Sequence, residues 1–493
     1  MPDDILLAID QGTSSTRAIG FSAAGDVLAV EQQSFEQLYP GPGWVEHDPE
    51  VIWATVVSTS RKVLQRLGAT QRVAAIGITN QRETTILWDR RSGEPLYNAI
   101  VWQDRRTADR CRQLQRTHGE GEIGRKTGLC LDPYFSATKI SWILDQVSGA
   151  RAAAKAGHIA FGTIDTFLIW RLTGGRVHVT DATNASRTAL YDITRARWDE
   201  TLCEMFEVPM SVLPEVRDSA GSFGSADAAV LGQALPICGV AGDQQAALIG
   251  QGCFAAGDAK STYGTGAFLV LNTGEQPVSS KHRLLTTIAY RLKGVVTYAL
   301  EGSILSAGAT IQWLRDGLGL IAQAAEVEAL AALAAHSGGV YLVPAFTGLG
   351  APYWDPDARA AILGLTRATS RSEIARAALD SVAYQTYDLL DAMAADGLRP
   401  ESLRVDGGMT QNNLFVQRLA DVLGMEIRRP ANPESTAFGA ACLAGLGCGM
   451  FRSLADLAAL GRSETRCKPN LSAAQREAEI SGWREALRRV RSS

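Results

Sequence analysis

Three short segments carry residue types suited to phosphate chemistry. The first is DQGTSST at 10–16. Its glycine lets the backbone come close to a ligand, and successive N–H groups with Thr and Ser hydroxyls can cradle phosphate oxygens. Asp10, at the end of an apolar run, is placed to hold Mg²⁺ through water, since that ion keeps much of its hydration shell. Arg17 offers a charge for the phosphates. The second segment, TYGTG at 262–266, repeats the pattern, and two such loops can close on one polyphosphate from opposite sides of a cleft. The third is DGGMTQNN at 406–413, where two glycines allow a flat ligand to lie on the backbone and Asn side chains donate and accept. Each segment alone has a plainer reading. The first two suit hairpin turns, and the third suits a strand-to-helix turn with an Asn cap.

Two polar clusters beside apolar strands add side chains that could grip a substrate. TNQRET at 79–84 lies between the runs 73–78 and 85–88. AGDQQAA at 241–247 sets Asp243 among Ala, Gly and Leu, where a carboxylate is costly unless it is paired or functional. Asp243 also suits a helix N-cap, and pattern alone does not separate a cap from a catalytic base. The Walker-type G-x-x-x-x-G-K-[ST] and the catalytic-loop motifs of protein kinases are absent, so ATP use here needs another architecture.

The elements that must position these segments read as follows. Ile5 to Ile9 is apolar without alternation, as in a strand buried on both faces, and Arg17 to Phe21 and Val27 to Phe35 follow as strands. Asp48, Pro49 and Glu50 start a helix. The second half repeats a Gly/Thr turn feeding a strand, Ala267 to Leu271, then strands at 284–292 and 295–300. Ser370-x-x-Glu373 is a capping box opening a long helix that ends near Gly397. The strand Leu403 to Val405 runs into Asp406-Gly407-Gly408, with a helix starting at Asn412 or Asn413. The pattern is a repeat at domain scale, with a boundary near residue 250: one domain over 1–250, the other over 251–493.

Bulk properties exclude several classes. At 493 residues the chain exceeds one compact core. A net charge of −4 gives no electrostatic footprint for nucleic acid or anionic membrane. The cluster Arg484, Arg488, Arg489 and Arg491 reads as a solvated helix face. The eight cysteines form no C-x-x-C pair and no metal spacing, so reduced thiols are expected. No apolar run approaches the roughly 18 residues of a membrane span, and the acidic N-terminus is unlike a secretory leader. A cytoplasmic protein is expected.

The chain resembles the FGGY carbohydrate kinases from Leu6 to about Gly449. The resemblance rests on LAIDQGTSSTRA, PGWVEHDPEVIWA, GITNQRETTILW, YNAIVWQDRRTA, DPYFSATKISWIL, VTDATNASRT, VAGDQQAAL, STYGTGAF, ALEGS, PAFTGLGAPYWDPDARA and VDGG. It implies an α/β protein with two domains of the actin/hexokinase-like ATPase (ribonuclease H-like) fold around an interdomain cleft. TNQRET and AGDQQAA point to members acting on glycerol, hence ATP-dependent phosphorylation of glycerol with release of ADP. By the same resemblance Asp10 organises Mg²⁺, and Thr13, Ser14, Ser15 and Arg17 line the phosphate site, met by Thr265 and Gly266. Gly308, Gln312, Gly408, Met409 and Asn412 hold the nucleotide. Arg82, Glu83, Tyr134, Asp243 and Gln244 take the glycerol hydroxyls, with Trp102 and Phe268 against its carbons and Asp243 as base. Homo-oligomers, dimer or tetramer, are implied. One member's loop for inhibition by fructose 1,6-bisphosphate carries an Arg that the stretch Leu231 to Leu235 lacks, so that regulation is not expected here.

Overall fold

The computed structural model describes residues 4–68, 71–461 and 463–492. Residues 1–3, part of the acidic N-terminus weighed above, lie outside the described residues. In the first half the apolar run forms strand β1 (Asp4–Gln11), which turns back through 12–14 into β2 (Ser15–Ser22) and then β3 (Val27–Ser34). Asp48 accepts the Glu50 N–H at 2.8 Å and opens helix α1 (Pro49–Leu67). β4 (Arg72–Asn80) and β5 (Leu235–Gly242) complete a sheet of order β5-β4-β1-β2-β3, with a short strand, Ser225–Ala226, outside β5. β1 is central and pairs parallel with β4 and antiparallel with β2, which explains its unbroken apolar run: Leu7, Ala8 and Ile9 are fully buried. Because β1, β4 and β5 are parallel, their carboxyl ends emerge together, with Asp10 beside Thr79 and Asn80 beside Gly242. Helix α2 (Asp243–Gly250) follows β5 without a loop; Gly242 takes the N-cap position and Asp243 the first helical one.

The second half repeats the plan. β6 (Ala259–Tyr263) and β7 (Ala267–Gly274) flank the 264–266 turn, followed by β8 (Leu285–Leu292), β9 (Val295–Ile304) and helix α3 (Gly308–Asp316). The capping box at Ser370 is formed and opens α4 (Arg371–Ala395). β10 (Ser402–Asp406) leads through a short 3-10 turn to α5 (Asn413–Leu423), and β11 (Glu426–Pro430) to α6 (Ser435–Gly447). The sheet order is β8-β9-β7-β6-β10-β11, extended by β12 (Glu464–Cys467). The five strands β9-β7-β6-β10-β11 match β3-β2-β1-β4-β5 in neighbours and direction, so the domain-scale repeat is a duplicated fold.

The halves are not separate in space. α6 belongs to the second half by sequence but packs on the first sheet. A Cβ on Gly77 or Gly239 would come within 2.1 Å of the Ala440 carbonyl oxygen or 2.3 Å of the Ala444 nitrogen. Where α6 crosses α2, Cβ atoms on Gly439 and Gly250 would lie 1.7 Å and 1.8 Å from opposing carbonyl oxygens. Only glycine permits these approaches, and they join the site's two sides closely. Downstream, α7 (Ala473–Val490) buries Trp483 in the second core, its indole N–H donating to Asp388 at 2.8 Å. Arg484, Arg488 and Arg489 pair with Asp391, Glu477 and Glu485 on the outer face, whereas Arg491 lies past the end of α7 with its guanidinium 5.1 Å over the Tyr353 ring.

Candidate active site

The long segment between β4 and β5 carries its own core, including Tyr134, Phe135, Ile140 and Phe161, and it brings Trp102 and Tyr134 over the strand ends. There Arg82 is the hub. Its Nε lies 3.1 Å from Asp243 Oδ1, Nη2 donates to the Tyr134 hydroxyl at 3.0 Å, and Nη1 donates to Glu301 Oε2 at 2.5 Å. Arg82 is buried and sits at φ 62°, a left-handed conformation that costs a non-glycine residue about 1–3 kcal/mol and persists only where surrounding contacts enforce it. Burial opposes its charge, yet Glu301, ahead of Tyr134, Glu83 and Asp243, holds the guanidinium above its usual pKa.

Glu83 is held by Arg187 Nε at 2.7 Å through Oε1, while its buried Oε2 has no partner among the described residues. Asp243 keeps 30% of its side chain accessible. Burial pushes its carboxyl up and Glu83 adds to this, against Arg82 and Lys260, which lower it. Beside it the Gln244 amide oxygen accepts from Lys260 Nζ, which also donates to the Thr262 hydroxyl at 3.0 Å. The buried Lys260 is lowered to about 8 by desolvation, against the pull of Asp406 and Asp243. An aromatic wall closes the pocket: the Trp102 ring lies 5.7 Å from that of Tyr134 and 6.0 Å from that of Phe268, with Arg82 5.5 Å above Phe268.

Next to this pocket lies the first glycine turn. Trp102 Nε1 donates to Thr13 Oγ1 at 2.9 Å, and Ser15 Oγ accepts from Gln32 Nε2 at 2.9 Å. Arg17 pairs with Glu434 at 2.9 Å. Asp10 is raised to about 7 by burial; Arg17 lowers it, and the charges of Asp243 and Glu434 add to the rise. Opposite, the second turn is docked on the start of α3. Gly308 N–H donates to the Gly264 carbonyl at 2.9 Å, and the Ala307 and Ala309 N–H groups donate to that of Thr265 at 2.9 and 3.0 Å. Gln312 follows one turn along α3. Gly408 and Met409 lie in the 3-10 turn after β10, and Asn412 caps α5 by accepting the Phe415 N–H at 2.9 Å. Gly407 stands at φ 90°, where a Cβ would meet the Tyr263 carbonyl oxygen at 2.5 Å, so this turn lies flat against the end of β6.

Arg82, Glu83, Trp102, Tyr134, Asp243 and Phe268 therefore form one connected cluster, and Gln244 lies beside it with its amide oxygen turned to Lys260. Sequence reasoning assigned no role to Glu301, Arg187, Lys260 or Glu434. Glu301 interrupts a largely apolar strand with a charge, a signal that was readable, whereas Lys260 stands in the mixed strand Ala-Lys-Ser-Thr-Tyr and carries no such contrast. Arg187 and Glu434 stand in turns, where local sequence offers no such contrast.

A duplicated sheet with a glycine turn at the head of each copy defines the actin/hexokinase-like ATPase fold. The N-terminal domain of the FGGY family of carbohydrate kinases matches residues 5–250 and its C-terminal domain residues 259–448. The chain belongs to that family. It is 59% identical to a glycerol kinase of Alteromonas mediterranea, with 99% of each chain covered, and 58% identical to glycerol kinase 1 of Pseudomonas aeruginosa over the same share. The crystal structure of Plasmodium falciparum glycerol kinase with ADP superposes with a TM-score of 0.92 at 39% identity, covering 99% of this chain and 98% of that one.

Proposed function

We infer that this protein phosphorylates glycerol with ATP, giving glycerol 3-phosphate and ADP. The carrying observation is the meeting of Arg82, Glu83 and Asp243 at one aromatic-walled pocket beside the first glycine turn. A triol presents three hydroxyls and little carbon surface, so it calls for charged, directional partners over a short apolar wall. In this reading Arg82 donates to one hydroxyl and the unpaired Glu83 Oε2 accepts from another. Gln244 and Tyr134 complete the polar ring, and Trp102 and Phe268 cover the carbons.

Asp243 accepts the proton of the attacking hydroxyl, and its raised carboxyl is the better base for it. The hydroxyl oxygen bonds to the γ-phosphorus while the bond to the β-phosphoryl oxygen breaks, and ADP leaves with that electron pair. Catalysis is then mainly positioning and charge neutralisation. Thr13, Ser14, Ser15 and Arg17 line one side of the phosphates, and Thr265 and Gly266 the other. Gly308, Gln312, Gly408, Met409 and Asn412 hold the nucleoside. Asp10 is a half-buried carboxylate at the end of β1, an oxygen ligand of the kind a hard divalent ion takes. Mg²⁺ bound there would neutralise phosphate charge. No described helix is long and apolar enough to cross a membrane, and a cytoplasmic homo-oligomer, dimer or tetramer, completes the proposal.

The test is ADP release with Mg-ATP and glycerol, dihydroxyacetone, erythritol, xylulose or no acceptor. Turnover that depends on glycerol supports the reading, and a clear preference for xylulose overturns the substrate. Light scattering after gel filtration gives the oligomeric state, and a monomer would remove that part of the proposal.

A further inference from the structure

Glu301 has no part in the scheme above, yet it is fully buried inside the site. It stands in the middle of β9 among Thr, Tyr, Ala and Leu and reaches from the second half into the first. Oε2 accepts from Arg82 Nη1 at 2.5 Å. Oε1 accepts from Arg187 Nη2 at 2.8 Å and from Arg82 Nη2 at 3.4 Å. One carboxylate thus separates and neutralises two guanidiniums that otherwise repel each other. Burial alone would raise the Glu301 carboxyl; Arg187 and Arg82 outweigh it and hold the group ionised below the ordinary glutamate range.

Consider the same pocket without that carboxylate. The remaining acids within reach of Arg82 are Asp243 and Glu83, the two groups assigned to the substrate. A guanidinium that closed fully on Asp243 would occupy the oxygen needed as base. Arg187 would likewise be left with Glu83 alone.

We propose that Glu301 is a positioning residue for the polyol: by anchoring Arg82 and Arg187 from the second half, it leaves Asp243 and the unpartnered Oε2 of Glu83 for the substrate hydroxyls. The polyol pocket is therefore completed by a side chain of the opposite domain. This inference rests on the glycerol-phosphorylating reading.

The test uses the full-length enzyme and compares wild type with Glu301→Asp and Glu301→Gln. Aspartate keeps the charge but is one methylene shorter and cannot span both guanidiniums from the same backbone. With the fold checked by circular dichroism, Glu301→Asp should raise the glycerol KM about 10-fold or more and lower kcat, with the ATP KM within about 2-fold of wild type. Glu301→Gln, if folded, should lose more. A Glu301→Asp enzyme with wild-type glycerol KM and kcat would reduce Glu301 to charge balance and overturn the proposal. Equal losses in the glycerol and ATP constants would overturn it too, as general structural damage. Should wild type itself show no glycerol-dependent ADP release, the functional reading falls, and this inference with it.

Discussion

The two sheets share strand order and direction, yet two corresponding strand ends carry opposite kinds of residue. β4 of the first sheet runs into Gln81, Arg82 and Glu83, all buried and charged or polar. Its counterpart β10 runs into Gly407, Gly408 and Met409, with almost no side-chain chemistry. The turns after β1 and β6 are alike in both copies, built of glycine and small hydroxyl residues. One scaffold thus offers two ways of recognising a ligand. Side chains gather where the small triol is proposed to bind, and bare backbone is left where a broad, flat nucleoside is proposed to lie. The shared turns stand where both halves would face one phosphate chain.

The largest test of this division removes the proposed base. Asp243→Asn should lower kcat by about 10³-fold while ADP affinity, followed by calorimetric titration, stays within about 2-fold. A matched loss of ADP affinity would show that the halves do not divide the work. In wild type the sign of the pH effect follows from the raised Asp243 carboxyl. Turnover should fall as pH drops through that raised value, because the protonated acid cannot take the substrate proton, and the Asn variant should lack this limb.

The side-chain half of the site was partly legible before folding, and the reason is locality. Strand β1, the Asp48 cap and the Ser370 capping box are written in a few consecutive residues each. Arg82 stood in a polar cluster between two apolar strands, and Asp243 among Ala, Gly and Leu. The Glu301 bridge was not legible in the same way, because its partners lie 219 and 114 residues away and meet it only through the joining of two sheets. The packing of α6 on the first sheet was equally hidden. Its small-residue run suits close contact, but nothing local names Gly77 or Gly239 as the surface it meets.

On the backbone side, Gly407→Ala tests whether the bare turn must be bare. The new Cβ would occupy left-handed backbone and press on the Tyr263 carbonyl oxygen. A loss of about 2 kcal/mol in urea unfolding is expected, with a raised ATP KM and an unchanged glycerol KM. An increase confined to glycerol would reverse the assignment of the two sides.

Two carboxylates with raised pKa values give a subtler contrast. Asp243 has Arg82 beside it, whereas buried Asp388 in the second half relies on the Trp483 N–H. Burial raises Asp388 to about 7, partly offset by Trp483 and Tyr353. Since the folded value lies above the unfolded one, the contribution of this group to stability is complete below about pH 4 and is lost as pH rises towards 7. Asp388→Asn keeps an acceptor for Trp483 and cannot ionise. Its stability relative to wild type should therefore improve from pH 5 to pH 8, by on the order of 1 kcal/mol in urea unfolding. A difference that does not change with pH would mean Asp388 is ionised in the fold without penalty.

Trp102→Phe should give the smallest effect and bears on the seam between the two modes. The indole N–H holds the Thr13 hydroxyl of the first turn, while the ring edges touch Tyr134 and Phe268 of the polyol wall. Phenylalanine keeps most of the wall and removes the single hydrogen bond, worth about 0.5–1.5 kcal/mol net. A fall in kcat of a few-fold is expected, with the glycerol KM little changed, because the loss lies in aligning the phosphate turn rather than in holding carbon. If glycerol KM rises alone, Trp102 belongs wholly to the side-chain mode and the first turn is oriented by its own backbone. If both constants hold at wild-type values, the indole bond is incidental, and the first turn is tied to the Arg82 segment through Gln81, whose Nε2 donates to the Gly12 carbonyl at 3.2 Å.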